Sequence, residues 1–352
     1  MKTKKIIAGV TILLALTTSV FAAKAKKSNN KSDKIKVVTT IFPEYDWVRE
    51  IAGNSDNIDL TLLIGNGVDL HSYQPSFQDI AKISNADIFI YVGGESDNWV
   101  KDALKNVTNK NIKVINLLET LGDKVKEEEV KEGMQAEEEE DEDGHHHHDG
   151  DHDDDEDDHE AEEHHHHHHD EDEVEYDEHV WLSLRNAKIL SAEIANALCE
   201  KDSANAATYK ANLAAYSSKL DALDAKYAAA VKAGSKKTIL FGDRFPFRYF
   251  VEDYGLDYFA AFVGCSAETE ASFETVIFLA KKVDELNLNT VLKIESGDGK
   301  IARTIIQNSK NKNAKVLTLD SLQSTTSKQA EKGTTYLKVM EENLKVIEEA
   351  LK

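Results

Sequence analysis

Most of this chain is short of histidine. Twelve of the fourteen histidines lie within residues 136–178, so only His71 and His179 remain for a histidine site in the rest of the 352 residues. Cysteine is scarce too. Cys199 and Cys265 are the only two, and neither has a C-x-x-C partner, which argues against a cysteine zinc cluster or a dithiol redox centre. An oxidising compartment would permit them to pair, but the sequence does not decide whether they meet. Proline occurs three times, at Pro43, Pro75 and Pro246, each near an expected helix start, where a missing N–H is tolerated. Enzyme signatures are missing: there is no H-E-x-x-H, no G-x-S-x-G, no phosphate-binding loop and no dinucleotide fingerprint. No basic surface for nucleic acid is implied either. The net charge is −23, of which residues 136–178 carry −25, so the remainder is close to neutral.

What is present is concentrated in that segment. It holds 25 acidic residues and 12 histidines, with no Lys or Arg. Imidazole and carboxylate are the usual protein ligands of Zn²⁺ and its neighbours. A block of like charge is expected to be solvated and disordered, and a His-rich tract binds metal with low order and modest affinity. Residues 125–178 are therefore expected to form a disordered insertion that collects ions and hands them over. Its metal-collecting side chains are His145, His146, His147, His148, His152, His159, His164, His165, His166, His167, His168 and His169.

Residues 1–23 read as a cleaved export signal: Lys2, Lys4 and Lys5, then an apolar run over 6–16, then Val20-Phe21-Ala22 as a small-residue cleavage pattern. No cysteine lies near that point, so a periplasmic or secreted protein without a lipid anchor is expected.

From residue 34 the pattern alternates β and α. Strands are expected over 35–40, 58–64, 87–92 and 112–117, with helices over 45–53, 77–84 and 98–106. A helix is expected over 186–199, and residues 204–233, free of Gly and Pro, read as one helix of roughly 45 Å. That length suits a strut joining two lobes. The pattern then restarts, with strands over 238–241, 258–262, 290–294 and 316–319 and helices over 247–254, 273–286, 300–308 and 334–351. The expected fold is α/β: two β/α lobes with parallel-type sheets joined by one long rigid helix, with a metal site in the cleft between them. The boundaries are 34–185 for the first lobe, 186–235 for the helical connection and 236–352 for the second lobe.

In parallel sheets ligands bind beyond the carboxyl ends of the strands. His71 falls there, in a Gly-rich loop where Asp69 could orient its ring, and His179 falls where the chain re-enters ordered structure. The second lobe has no histidine but has carboxylates at strand ends: Asp243, Glu295 and Asp320. A strand-end Asp can equally be a helix cap.

These residues carry a resemblance. Val37-Val38-Thr39-Thr40-Ile41-Phe42-Pro43, the run from Gly67 to Ser76, Ala86-Asp87-Ile88-Phe89-Ile90, Asp177-Glu178-His179-Val180-Trp181 and Thr318-Leu319-Asp320-Ser321-Leu322 are similar to motifs of the periplasmic solute-binding proteins of bacterial zinc and manganese ABC importers, the family of the high-affinity zinc uptake protein. The resemblance runs over nearly the whole mature chain. It implies His71, His179 and Asp320 as metal ligands, Zn²⁺ as the transported ligand with Mn²⁺ possible, a membrane permease as partner, a monomer, and no enzymatic activity. The third ligand position departs from the family's His or Glu. Counting from the strand places Asp243 there, counting back from Tyr249-Phe250 places Arg244 there, and Arg cannot ligate. Asp243 is preferred. Glu270 is at a position the family often fills with Glu, as a supporting group or a further ligand. The rivals are a manganese receptor of the same fold, a secreted metal buffer or adhesin without transport, and a metallohydrolase built on His71 and His179.

Overall fold

The computed structural model describes residues 34–53, 55–135, 175–266 and 270–352. The expected export signal and all twelve tract histidines, from His145 to His169, lie outside them. Residues 34–352 form one compact unit.

β1 (Ile35–Thr39), β2 (Ile58–Leu62), β3 (Ile88–Tyr91) and β4 (Lys113–Asn116) make a parallel sheet in the order β2-β1-β3-β4. Helices α1 (Phe42–Ala52), α2 (Phe77–Ser84) and α3 (Trp99–Lys105) are its crossovers, and α4 (Leu117–Leu121) follows β4. Both sheet faces are covered, which is why the central strand β3 reads as an apolar run, Ile88-Phe89-Ile90-Tyr91, and β1 is buried from Val37 onward. Val37, Ile88 and Ile90 pack into one cluster with Trp47 and Ile51 of α1, and Val38 and Phe89 pack into another with Ile83 and Val100.

The chain then forms α5 (Leu184–Lys201) and α6 (Ala206–Ala233). α6 has 28 residues, about 42 Å of helix. Its buried side chains Tyr209, Tyr216, Leu220, Leu223, Tyr227 and Val231 recur every three, four or seven residues, which places them on one face. That face touches both halves of the molecule. Asn212 donates to Ile51 O at 2.9 Å, and Tyr227 Oη donates to Met340 O at 2.6 Å.

The second half repeats the first. β5 (Thr238–Leu240) pairs with β6 (Asp257–Phe259), and β7 (Thr290–Lys293) with β8 (Lys315–Thr318), all parallel. A parallel bridge between Phe241 and Leu292 joins the pairs, with Gly242 N donating to Leu292 O at 2.9 Å. The resulting order, β6-β5-β7-β8, matches that of the first sheet. Its helices are α7 (Arg248–Tyr254), α8 (Phe273–Glu285) and α9 (Lys300–Asn308), followed by α10 (Ser327–Glu331) and α11 (Tyr336–Ala350).

The expected architecture of parallel sheets and a long helix is observed. The differences are local. α1 starts at Phe42 because Pro43 fits the first helical turn and Glu44 reaches back to accept from Thr40 N. α4 and α10, five residues each, are too short to show a helical period. Several strands end earlier than expected because residues such as Ile64, Phe241 and Ile294 already belong to the loops leaving the carboxyl edges. Among the described residues no helix is long and apolar enough to cross a membrane.

Candidate metal centre

The loops beyond the carboxyl edges of the two sheets converge. After β2, Asp69 caps a single helical turn, its Oδ1 accepting from His71 N at 3.1 Å, and buried Leu70 anchors that turn. Before α5, Asp177 Oδ1 accepts from His179 N at 2.8 Å and lies 3.0 Å from His179 Nδ1. A carboxylate at neutral pH only accepts, so His179 carries its ring proton on Nδ1 and turns the Nε2 lone pair outward. His71 Nδ1 is held by Ser96 Oγ at 2.7 Å, with Glu178 Oε2 at 3.5 Å. The two Nε2 atoms face each other at 3.1 Å. Burial, then the neighbouring His179, push the His71 pKa down to about 3, so its ring is neutral at ordinary pH.

Other side chains close around the pair. Arg244, from the loop after β5, forms an ion pair with Asp69 and donates to Ser266 O at 3.4 Å. Burial would raise the Asp69 carboxyl, but Arg244 and His71 together hold it below the usual carboxylate range. After β8, buried Leu322 takes a left-handed φ of 65° and turns Gln323 toward the histidines. The Gln323 side-chain amide spans Asp69 and His179, its two polar atoms 3.1–3.2 Å from the Asp69 carboxylate and 3.1 Å from His179 Nε2. Glu178 Oε1 accepts from Ser96 N at 2.9 Å, while its buried Oε2 makes no hydrogen bond among the described residues. Gly94, at φ 79°, is obligatory, because a Cβ there would stand 2.4 Å from Glu178.

The expected carboxylates stand apart from this centre. Asp243 accepts from Arg244 N at 2.9 Å and Ile294 N at 3.2 Å, one bond to each oxygen. It is Arg244, not Asp243, that reaches the His71 loop. Asp320 Oδ1 accepts from Leu322 N at 2.8 Å, and burial, then Glu295, push its pKa up. Glu295 itself accepts from the N–H and hydroxyl of both Ser321 and Ser324, at 2.7–3.2 Å. Glu270 is exposed, 3.6 Å from Lys300 Nζ. Asp243 and Glu270 line a cleft of about 500 Å³ with Asp69, Ser72 and Arg244. His71, Ser96, Glu128, Tyr176, Glu178 and Cys265 line a second one of about 450 Å³. Among the described residues, one group of three metal-ligating side chains has its ligand atoms within 4.8 Å of one another: His71, His179 and Cys265. Cys199 and Cys265 are free thiols. Sequence reasoning missed Cys265, Gln323 and Ser96, and Gly264 ahead of Cys265 was the one local signal of a tightly packed loop.

The family model for the zinc-uptake complex component A, periplasmic (ZnuA), matches residues 37–350. The chain belongs to this family. It is 31% identical over 340 residues to the zinc-binding lipoprotein AdcA of Streptococcus pneumoniae, covering 97% of this chain and 60% of AdcA. The chain thus spans about 60% of the length of the AdcA relatives. It is 28% identical to the high-affinity zinc uptake system protein ZnuA of Bacillus subtilis, covering 92% of this chain and 90% of that protein. The crystal structure of the Zn(II)-bound ZnuA-like domain of S. pneumoniae AdcA superposes with a TM-score of 0.64 at 26% identity, over 90% of this chain and 99% of that domain. The family assignment drawn from the motifs therefore holds, and this is a family of solute-binding receptors.

Proposed function

We propose that this chain is an exported receptor that captures Zn²⁺ outside the cytoplasm and delivers it to the permease of an ABC importer. The single observation that carries the reading is the facing pair of Nε2 atoms at 3.1 Å, each ring held from its far side. With each Nδ1 engaged from its far side, both Nε2 atoms face the one point where an entering cation could be shared. Zn–N bonds of about 2.0–2.1 Å in tetrahedral geometry separate two nitrogens by roughly 3.3 Å, close to this spacing. Paired imidazoles favour Zn²⁺ over Mn²⁺. The zinc-named relatives and the Zn(II)-bound structural neighbour support the same ion.

In this reading His71 and His179 are the nucleus of the site. Asp320 is the carboxylate that would join on loading, and Asp243 a weaker one, since it would have to release its backbone partners. Glu270 supports the rim. Residues 34–185 and 236–352 act as the two lobes and 186–235 as the connection. Residues 1–23 direct export, and the tract concentrates ions beside the cleft. No bond is made or broken in the cargo.

The test is a competitive metal titration of the chain with and without residues 136–174. The deleted form is expected to keep one tight site that prefers Zn²⁺ to Mn²⁺, and His179→Ala is expected to abolish it. Loss of tight binding with the tract would hand the function to a metal buffer.

A further inference from the structure

The loop after β6 brings a thiol to the histidine pair. We propose that Cys265 is a protein ligand of the captured ion, adding a thiolate to the two imidazoles; this rests on the receptor reading above. Its Sγ lies within 4.8 Å of the ligating nitrogens of both His71 and His179. Tetrahedral zinc with Zn–S near 2.3 Å sets sulfur and nitrogen roughly 3.6 Å apart, so the approach needed is at most about 1.2 Å.

The loop is built to sit there. A Cβ on Gly264 would stand 3.2 Å from Nδ1 and Cε1 of His179 and 2.9 Å from Phe245 O, so only glycine lets the backbone press against that ring. Cys265 N donates to Glu128 Oε1 at 3.0 Å, which fixes the backbone from the other side. Two side chains from the loop after β5 do not compete for the position. Arg244 cannot ligate and is paired with Asp69, and both oxygens of Asp243 accept backbone N–H groups. Cys199 lies in α5 with its Sγ 3.6 Å from Ala206 O and forms no disulfide with Cys265.

The chemistry balances without an oxidant. The ion displaces the thiol proton, which leaves to solvent, and one Zn–S bond replaces one S–H bond. A thiolate selects soft and borderline ions, which sharpens discrimination against Mn²⁺.

The probe is Co²⁺ added to the full chain, read by sulfur-to-cobalt charge-transfer absorption in the near ultraviolet. The acidic tract contains no cysteine and cannot contribute. The expected result is a band that saturates at one equivalent, is bleached by Zn²⁺, is lost in Cys265→Ser and persists in Cys199→Ser. Zn²⁺ affinity should fall at least tenfold in Cys265→Ser. In the unsubstituted chain Zn²⁺ should also slow alkylation of Cys265 relative to Cys199, a readout independent of how any variant folds. Tight binding that is sensitive to His179→Ala but shows no band and no thiol protection would overturn the cysteine ligand and leave the receptor standing. Binding indifferent to His179→Ala would overturn the receptor reading itself.

Discussion

Glu44 shows how much one buried carboxyl can govern. It sits at the start of α1 and accepts from Thr40 N at 2.8 Å and Ile41 N at 3.3 Å. Burial, and then Asp97, raise its pKa from 4.5 to about 8. An acid whose folded pKa is raised contributes stability that is fully present below the unfolded pKa and is lost as pH rises through the folded one. Glu44→Gln keeps an acceptor for the two N–H groups and removes the titration. Between about pH 5 and pH 9 the variant should gain about 2 kcal/mol or more on the native chain in urea unfolding; parallel pH profiles would refute this. The residues that sequence made legible were those marked by scarcity or motif: His71 and His179 stood out because no other histidine was available to the folded body. Cys265 and Gln323 were not legible, and Arg244 was legible only as the alternative occupant of the third ligand position. They arrive from loops after three different strands, and their meeting is set by how two sheets oppose their carboxyl edges. The last motif was read as far as Asp320-Ser321-Leu322, one residue short of the side chain that contacts His179.

At the scale of elements, α6 is the clearest case of local sequence deciding structure. Its lack of Gly and Pro and its abundance of Ala made a long helix readable. Its buried stripe was less readable, because tyrosines carry half of it and each hydroxyl needs its own reckoning. Leu220, fully buried at mid-helix, should cost about 2–4 kcal/mol on replacement by Ala. Tyr227→Phe should cost about 1 kcal/mol by leaving Met340 O without its donor. Denaturant unfolding of the two variants checks the ranking, and equal losses would mean the helix is held by something other than this stripe. Neither change should alter which metal is bound, since α6 contributes no side chain to the centre. The short helices α4 and α10 were invisible in sequence for the opposite reason: they follow strand-end turns and are fixed by packing and capping rather than by period.

At the scale of the whole molecule, ion binding and folding are linked. A ligand held by side chains from separate loops binds only the folded chain, so Zn²⁺ at a hundredfold excess over its dissociation constant should add about 2.7 kcal/mol and raise the melting temperature. That increment should persist when residues 136–174 are removed and vanish in His179→Ala. The tract is anchored at both ends by described structure. Gln135 N donates to Ala261 O at 2.9 Å, on the strand-end loop that leads to Cys265. On the other side Tyr176 bridges to Glu127 and lines the same cleft as His71. The 40 residues between Gln135 and Tyr176 thus form a loop joined to the described structure at both ends, the second end in the cleft that His71 lines. Under the proposed function, an ion leaving one of the twelve histidines would meet the cleft at an effective concentration set by the length of that loop, not by how much protein is present. Loading from the tract should therefore be first order and unchanged on dilution, whereas the same tract supplied as a separate peptide would have to find the receptor by collision.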